Sequence, residues 1–286
     1  MLVKSEDQFH MHLIENVARG GKRFLRLSDD SRLVCAIRPR YELVLQFLYG
    51  RKGLFRQLDG EEPIRLRPQD RLVPENYEPP VFHFLKERVK PGAVVLEVGA
   101  NIGIFSVLMA RWAGSNGVIH AFEPSPACCE VLTFHLGLNG VKDRVVIERA
   151  ALSNSEGTAT FYCSGTSGTN SLSAVRIHTA CGATEETQVR VTTVDSYCFS
   201  RKVSPSLIKI DVEGFEFHVL EGAFDILKKC RPIILVEFHP VNWADIAVSP
   251  KSVMSALENL GYRARALSGQ QNILSQYGHV VFESSV

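Results

Sequence analysis

An open α/β sheet, mostly parallel and carrying an antiparallel last strand, is the fold class this 286-residue sequence predicts. From Val81 onward, short apolar runs alternate with segments of helical spacing, the pattern of strand–helix–strand crossovers. Within it, Val94-Val95-Leu96-Glu97-Val98 turns through Gly99-Ala100-Asn101-Ile102-Gly103 into a helical stretch, and a second run ends at Glu123. The last two strand-like runs, Arg263 to Leu267 and His279 to Phe282, flank a ten-residue polar connection and imply one antiparallel edge strand.

The elements follow in order. Residues 1 to 80 read as a small irregular α+β cap or lid. In it, Phe24 to Leu27, Leu33 to Ile37 and Ile64 to Leu66 look like short strands, and Tyr41 to Tyr49 like a helix. Pro63, Pro68, Pro74, Pro79 and Pro80 punctuate its end. Residues 81–286 form the regular domain. Helix Val81 to Val89 is broken by Lys90-Pro91-Gly92 before strand Ala93 to Val98. Helix Ile104 to Trp112, strand Val118 to Phe122 and helix Pro126 to Leu138 come next, with Asn139-Gly140 as a helix stop. Strands are expected at Val145 to Ala150, Thr158 to Tyr162 and Val189 to Val194, with a Ser/Thr/Gly-rich loop, Ser164 to Ser173, among them. Asp195 reads as the N-cap of a short helix. The segment Leu207 to Glu216 reads as a strand that ends in a cluster of acids, Asp211, Glu213 and Glu216; helix Phe217 to Lys229, strand Ile233 to Phe238 and helix Ser249 to Leu260 follow.

Composition narrows the functional classes. Hydrophobic content of 45% and charged content of 22% are ordinary for a soluble globular chain. A net charge of +1, with no basic, aromatic-rich stripe, argues against nucleic acid and against an anionic membrane. Seven cysteines without a Cys-x-x-Cys pair suit reduced thiols. With no signal-peptide layout and no spanning apolar run, the expected location is cytoplasmic.

The glycine turn raises the question of a cofactor. Strand, glycine turn, helix, strand and acid is how an open α/β sheet holds an adenosine-containing ligand. A dinucleotide turn wants a third glycine so that bare backbone can approach a pyrophosphate, but Asn101 and Ile102 stand there instead. Glu97 would repel a pyrophosphate and favour the ammonium and sulfonium of S-adenosylmethionine. Glu123 is placed to accept from ribose hydroxyls. The candidate cofactor-binding residues are therefore Glu97, Gly99, Ala100, Asn101, Gly103 and Glu123.

With these motifs in one order, the chain resembles the FkbM-type methyltransferase family from about residue 77 to 265. Four segments carry the likeness: Glu97 to Gly103; Ala121-Phe122-Glu123-Pro124-Ser125-Pro126; Ala150-Ala151-Leu152-Ser153-Asn154 with Gly157; and Ile208 to Glu216 with Val219-Leu220-Glu221-Gly222-Ala223. Glu97 departs from the aspartate more usual in the family. The resemblance implies a seven-stranded Rossmann-like sheet with S-adenosylmethionine at the carboxyl ends of its strands. It also implies O-methylation of a hydroxyl on a sugar, glycan or natural product. The alternatives are a nicotinamide-dependent oxidoreductase and a methyltransferase acting on protein or another acceptor; oligomeric state is open.

Methyl transfer to oxygen needs an aligned acceptor and a group to take its proton. Asp211 is the first candidate, at a strand end, and His239 the second, because its ordinary pKa suits a base. Glu237 can orient His239 or the acceptor, and Lys209 can hold Asp211 ionised. Glu213 and Glu216 read as helix-capping acids. Asp211, Glu213 and Glu237 suit a hard cation, but no clear ligand set emerges and no metal is expected. His10, His12, His83, His120, His135, His178, His218 and His279 are scattered and read as structural.

Overall fold

The computed structural model describes residues 32–163, 172, 185–243 and 248–284. The chain divides at Tyr77/Glu78 into two compact units. In the first, helix α1 (Arg32–Tyr49) precedes an antiparallel hairpin of β1 (Leu54–Leu58) and β2 (Glu62–Leu66). The expected strand at Leu33 to Ile37 is part of α1 instead. Leu33, Ile37, Tyr41 and Leu45 recur every fourth residue, a helical period that a five-residue window cannot distinguish from a strand. The hairpin turns at Asp59 and Gly60, both with positive φ (50° and 69°), a dipeptide that signals hairpins. The expected strand at Phe24 to Leu27 lies outside the described residues.

The second unit opens with α2 (Pro79–Arg88), β3 (Val94–Val98), α3 (Ile104–Trp112), β4 (Val118–Phe122), α4 (Pro126–Leu138) and β5 (Val145–Glu148). A side sheet of β6 (Ala151–Leu152), β7 (Gly157–Cys163) and β8 (Glu185–Thr192) comes next. The chain then returns through α5 (Val194–Arg201), β9 (Leu207–Ile210), α6 (Glu216–Glu221), α7 (Phe224–Cys230), β10 (Ile233–Phe238), α8 (Pro250–Asn259), β11 (Tyr262–Ala266) and β12 (Gly278–Ser284). The main sheet has seven strands in the order β11-β12-β10-β9-β3-β4-β5. The last strand is antiparallel, but it is not the edge: β12 lies between β10 and β11 and opposes both. The rest of the sheet is parallel, giving the Rossmann-like architecture of α/β methyltransferases. Among the described residues no helix is long and apolar enough to cross a membrane.

Alternation along the strands sorts the two faces. Leu96, Val98, Ile208, Ile210, Ile234, Val236, Phe238, Val280 and Phe282 share one core with Phe217, Leu220, Leu227 and Leu257 of the helices. The expected helix Phe217 to Lys229 is two helices, α6 and α7, broken at Gly222, where an added Cβ would lie 2.1 Å from the Ser153 carbonyl oxygen. Asp195 caps the second of these, accepting from the backbone N–H groups of Ile226 (2.8 Å) and Asp225 (3.1 Å). The cap of its own helix is Thr193, which accepts from the Ser196 N–H at 3.0 Å.

The close approach at Gly222 makes a prediction. Its φ of −76° suits alanine, so Gly222→Ala acts only through the steric conflict with Ser153. Urea unfolding should show a loss of about 1–3 kcal/mol, the scale of overpacking. An unchanged midpoint would contradict the packing described.

Candidate functional site

The turn after β3 is pressed between its two neighbours. Gly99 and Ala100 each donate a backbone N–H to the Phe122 carbonyl at 3.0 Å, and the Asp211 N–H donates to the Val98 carbonyl at 2.9 Å. A Cβ at Gly99 (φ 85°) would lie 1.8 Å from the Asp211 carbonyl oxygen, so only glycine fits. Asn101 stands where a dinucleotide turn wants glycine and holds φ at 49°, a conformation asparagine tolerates. Gly103 (φ 85°) starts α3, and His135 Nδ1 holds the Ile102 carbonyl at 2.8 Å.

Glu123 closes the outer side of this turn. Its two carboxylate oxygens accept from the backbone N–H groups of Asn101 and Ser125, each at 2.8 Å. Burial pushes its pKa up to about 7 although both bonds favour the charged form. A carboxylate has roughly four lone-pair sites, so two acceptor positions remain for a ribose diol. The acceptor positions left on Glu123, beside the half-exposed turn, fit the ribose of an adenosine cofactor.

Glu97 lies deeper than the sequence suggests. It is 1% exposed, and its carboxylate accepts from the Ser106 hydroxyl on α3 instead of facing solvent. Burial raises its pKa to about 7, outweighing the neighbouring Lys209 ammonium. It supports the turn from beneath, tied to α3 through Ser106.

Register gathers the remaining ionisable groups on one face. Glu97 pairs with Lys209, Lys209 pairs with Leu235, and Glu237 pairs with His279. With a period of two, Glu97, Lys209, Asp211, Glu237 and His279 all point to the side of α3, opposite the apolar core. Lys209 Nζ donates to Asp211 Oδ2 at 3.1 Å. The Asp211 side chain is 25% exposed, against 5% for Lys209, so the carboxylate is the end of the pair that solvent reaches. Burial, joined by the charges of Glu237 and Glu78, raises Asp211 to about 7 even though Lys209 opposes the shift. Lys209 therefore does not keep Asp211 as acidic as an ordinary aspartate. Burial works against the Lys209 ammonium as well, yet Asp211 and Glu97 hold its pKa above the usual lysine value.

His239 is buried, and Glu216, not Glu237, orients it. Its Nδ1 lies 2.7 Å from Glu216 Oε1, whereas Nε2 is 3.4 Å from Glu213 and 3.8 Å from Glu237. Glu216 also accepts from the Gly214 N–H and from Trp243 Nε1, both at 2.8 Å, which fixes the loop between β9 and α6. Three residues not foreseen for the site join it. Tyr277 donates its hydroxyl to Glu237. His279, read from sequence as scattered, lies 3.7 Å from Glu237, and Glu78 lies 3.6 Å from His279. The cross-strand pairing of β10 with β12 is the signal that brings His279 in, and one strand alone does not display it. A cleft of about 330 Å³ opens on the side sheet, lined by Ser153, Glu156, Thr158, Thr160 and Tyr162, with Phe215 of the β9–α6 loop as one wall. Most of the expected Ser/Gly loop around Asn170 lies outside the described residues.

The family model described as "Methyltransferase FkbM domain" matches residues 97–264. Hexuronic acid methyltransferase AglP of Haloferax volcanii is 28% identical over 183 residues, 63% of this chain and 67% of AglP. The 31-O-demethyl-FK506 methyltransferase FkbM of Streptomyces tacrolimicus is 30% identical over 184 residues, 54% of this chain and 69% of that protein. A crystal structure of Methyltransferase FkbM from Methylobacillus flagellatus KT aligns at 12% identity and TM-score 0.45, across 96% of this chain and 60% of that one.

The buried Glu97 yields a pH prediction. Its pKa is near 7 when folded and 4.5 ordinarily. Across that window the folded chain keeps a proton that the unfolded chain releases. Its contribution to stability is therefore greatest in acid and is lost as pH rises through the window, on the order of 3 kcal/mol in full. Glu97→Gln lacks this loss, so its Tm relative to wild type should rise between mildly acid and mildly alkaline buffer. A pH-independent difference would contradict the assignment.

Proposed function

This chain belongs to the FkbM family of methyltransferases, and we propose that it moves a methyl group from S-adenosylmethionine to a hydroxyl oxygen of a sugar, glycan or natural-product acceptor. The observation that carries this reading is Asp211: a partly exposed carboxylate at a strand end, 3.1 Å from a buried ammonium and packed against the glycine turn. The names of two relatives, one for a hexuronic acid and one for 31-O-demethyl-FK506, support a hydroxyl-bearing small molecule over nucleic acid or a membrane.

The cofactor, when bound, supplies an activated methyl whose departure leaves a neutral thioether. The chain's residues do the rest. The half-exposed Gly99, Asn101 and Ile102 of the turn meet the adenosine end, and Glu123 accepts from the ribose hydroxyls. Asp211 orients the acceptor hydroxyl and takes its proton as the new carbon–oxygen bond forms. A carboxylate raised to about 7 is matched to that task near neutral pH. Lys209 keeps Asp211 in place, and the Glu216–His239 pair fixes the adjoining loop.

Asp211→Asn tests the assignment. With labelled cofactor, kcat should fall by about 100-fold or more, the scale of a lost general base, while KM for the cofactor stays put. Methyl transfer at close to the wild-type rate would remove Asp211 from the mechanism.

A further inference from the structure

Beyond Asp211, toward β12, three side chains converge in a way that hydrogen bonding does not explain. Glu237 and His279 are cross-strand partners in the β10–β12 ladder. Glu78 comes from the residue before α2, whose far end is tied to β12 by an Arg88–Glu283 ion pair at 3.0 Å. His279 Nε2 lies 3.6 Å from Glu78 Oε2 and 3.7 Å from Glu237 Oε1. His279 is 8% exposed, and both its Nε2 and Glu78 Oε2 are buried without a hydrogen-bond partner.

Those separations leave room for an ion shared by the three atoms. A charge-assisted N–H···O bond would draw the atoms to about 2.7–2.9 Å. A water bridging them would hold them roughly 4.5 Å apart. Two ligand atoms ~2.1 Å from one ion and in tetrahedral or trigonal arrangement are about 3.4–3.6 Å from each other. The imidazole is also set for coordination. Ser268 Oγ sits 2.8 Å from Nδ1 and accepts the His279 backbone N–H at 3.2 Å, which fixes the ring and leaves Nε2 as the atom that faces the two carboxylates. Tyr277 donates its hydroxyl to the same Glu237 oxygen, Oε1, and fixes its position.

We propose that Glu78, Glu237 and His279 hold a divalent first-row transition cation, Mn²⁺ or Zn²⁺. One imidazole with two carboxylates favours these over Mg²⁺ and Ca²⁺, which prefer oxygen alone. The neighbouring trio of Asp211, Glu237 and His239 also converges, but Asp211 is already paired with Lys209 and His239 with Glu216. On the methyl-transfer reading, the ion would stand beside Asp211 and grip the acceptor oxygen. Binding of the ion does not depend on that reading.

The test uses the full chain, stripped of metal by dialysis, with neither cofactor nor acceptor present. Equilibrium dialysis against Mn²⁺ and Zn²⁺ should give one ion per chain at micromolar affinity, weakened by about tenfold or more in Glu78→Gln and in His279→Asn. Cobalt-loaded wild type should show a paramagnetically shifted imidazole N–H resonance, a readout that survives if either variant misfolds. No binding at millimolar metal, affinity unchanged in both variants, or no shifted imidazole signal would overturn the site. A metal-loaded chain that never methylates would instead count against the methyl-transfer reading alone.

Discussion

The in-register pairing of β3 with β4 on one side and β9 on the other is the constraint on which the site depends. It brings Phe122 and Asp211 against the same glycine turn, and it leaves no room for a side chain at Gly99. The turn thereby acquires two distinct flanks. On the β4 flank, Glu123 is held by two backbone donors and keeps acceptor positions free, as suits a rigid grip on a neutral diol. On the β9 flank, Asp211 is one end of a chain of ionisable groups that runs across the sheet to His279. A one-residue slip of β9 would turn Lys209 and Asp211 into the apolar core and end both arrangements.

That row of charges is costly to maintain. Glu97, Lys209, Glu237 and His279 are all buried, and taking an ion from water costs several kcal/mol even after relaxation. The chain offsets this cost locally: Lys209 lies within hydrogen-bond distance of Asp211, and Glu97 is served by Ser106. Glu237 in turn accepts the Tyr277 hydroxyl. Hydrophobic residues would pack this face at lower cost, so the retained charges point to chemistry at the strand ends.

Much of this was legible in the sequence. The expected α3, β4, α4 and β10 match the observed ones residue for residue, because each is a run of one period bounded by a glycine, a proline or an acid. The family resemblance read from four motifs is the family the chain belongs to. The misreadings have physical causes. Leu33 to Ile37 was too short a window to fix a period, and the break at Gly222 is imposed by Ser153, which is distant in sequence. Glu97, Glu123 and Asp211 could be picked out because each ends its own strand. Glu78, Tyr277 and His279 enter through a helix start, a connecting loop and a cross-strand register, none of which has a local signature.

The division of labour along the strand ends is most directly tested by calorimetric titration of S-adenosylhomocysteine into wild type, Glu123→Ala and Asp211→Asn, with NAD as the rival ligand. Wild type should bind one equivalent of S-adenosylhomocysteine and no NAD. Glu123→Ala should lose about tenfold or more in affinity, the worth of one or more hydrogen bonds to a charged acceptor. Asp211→Asn should bind as wild type does. Equal losses in the two variants, or binding of NAD in place of S-adenosylhomocysteine, would contradict the account.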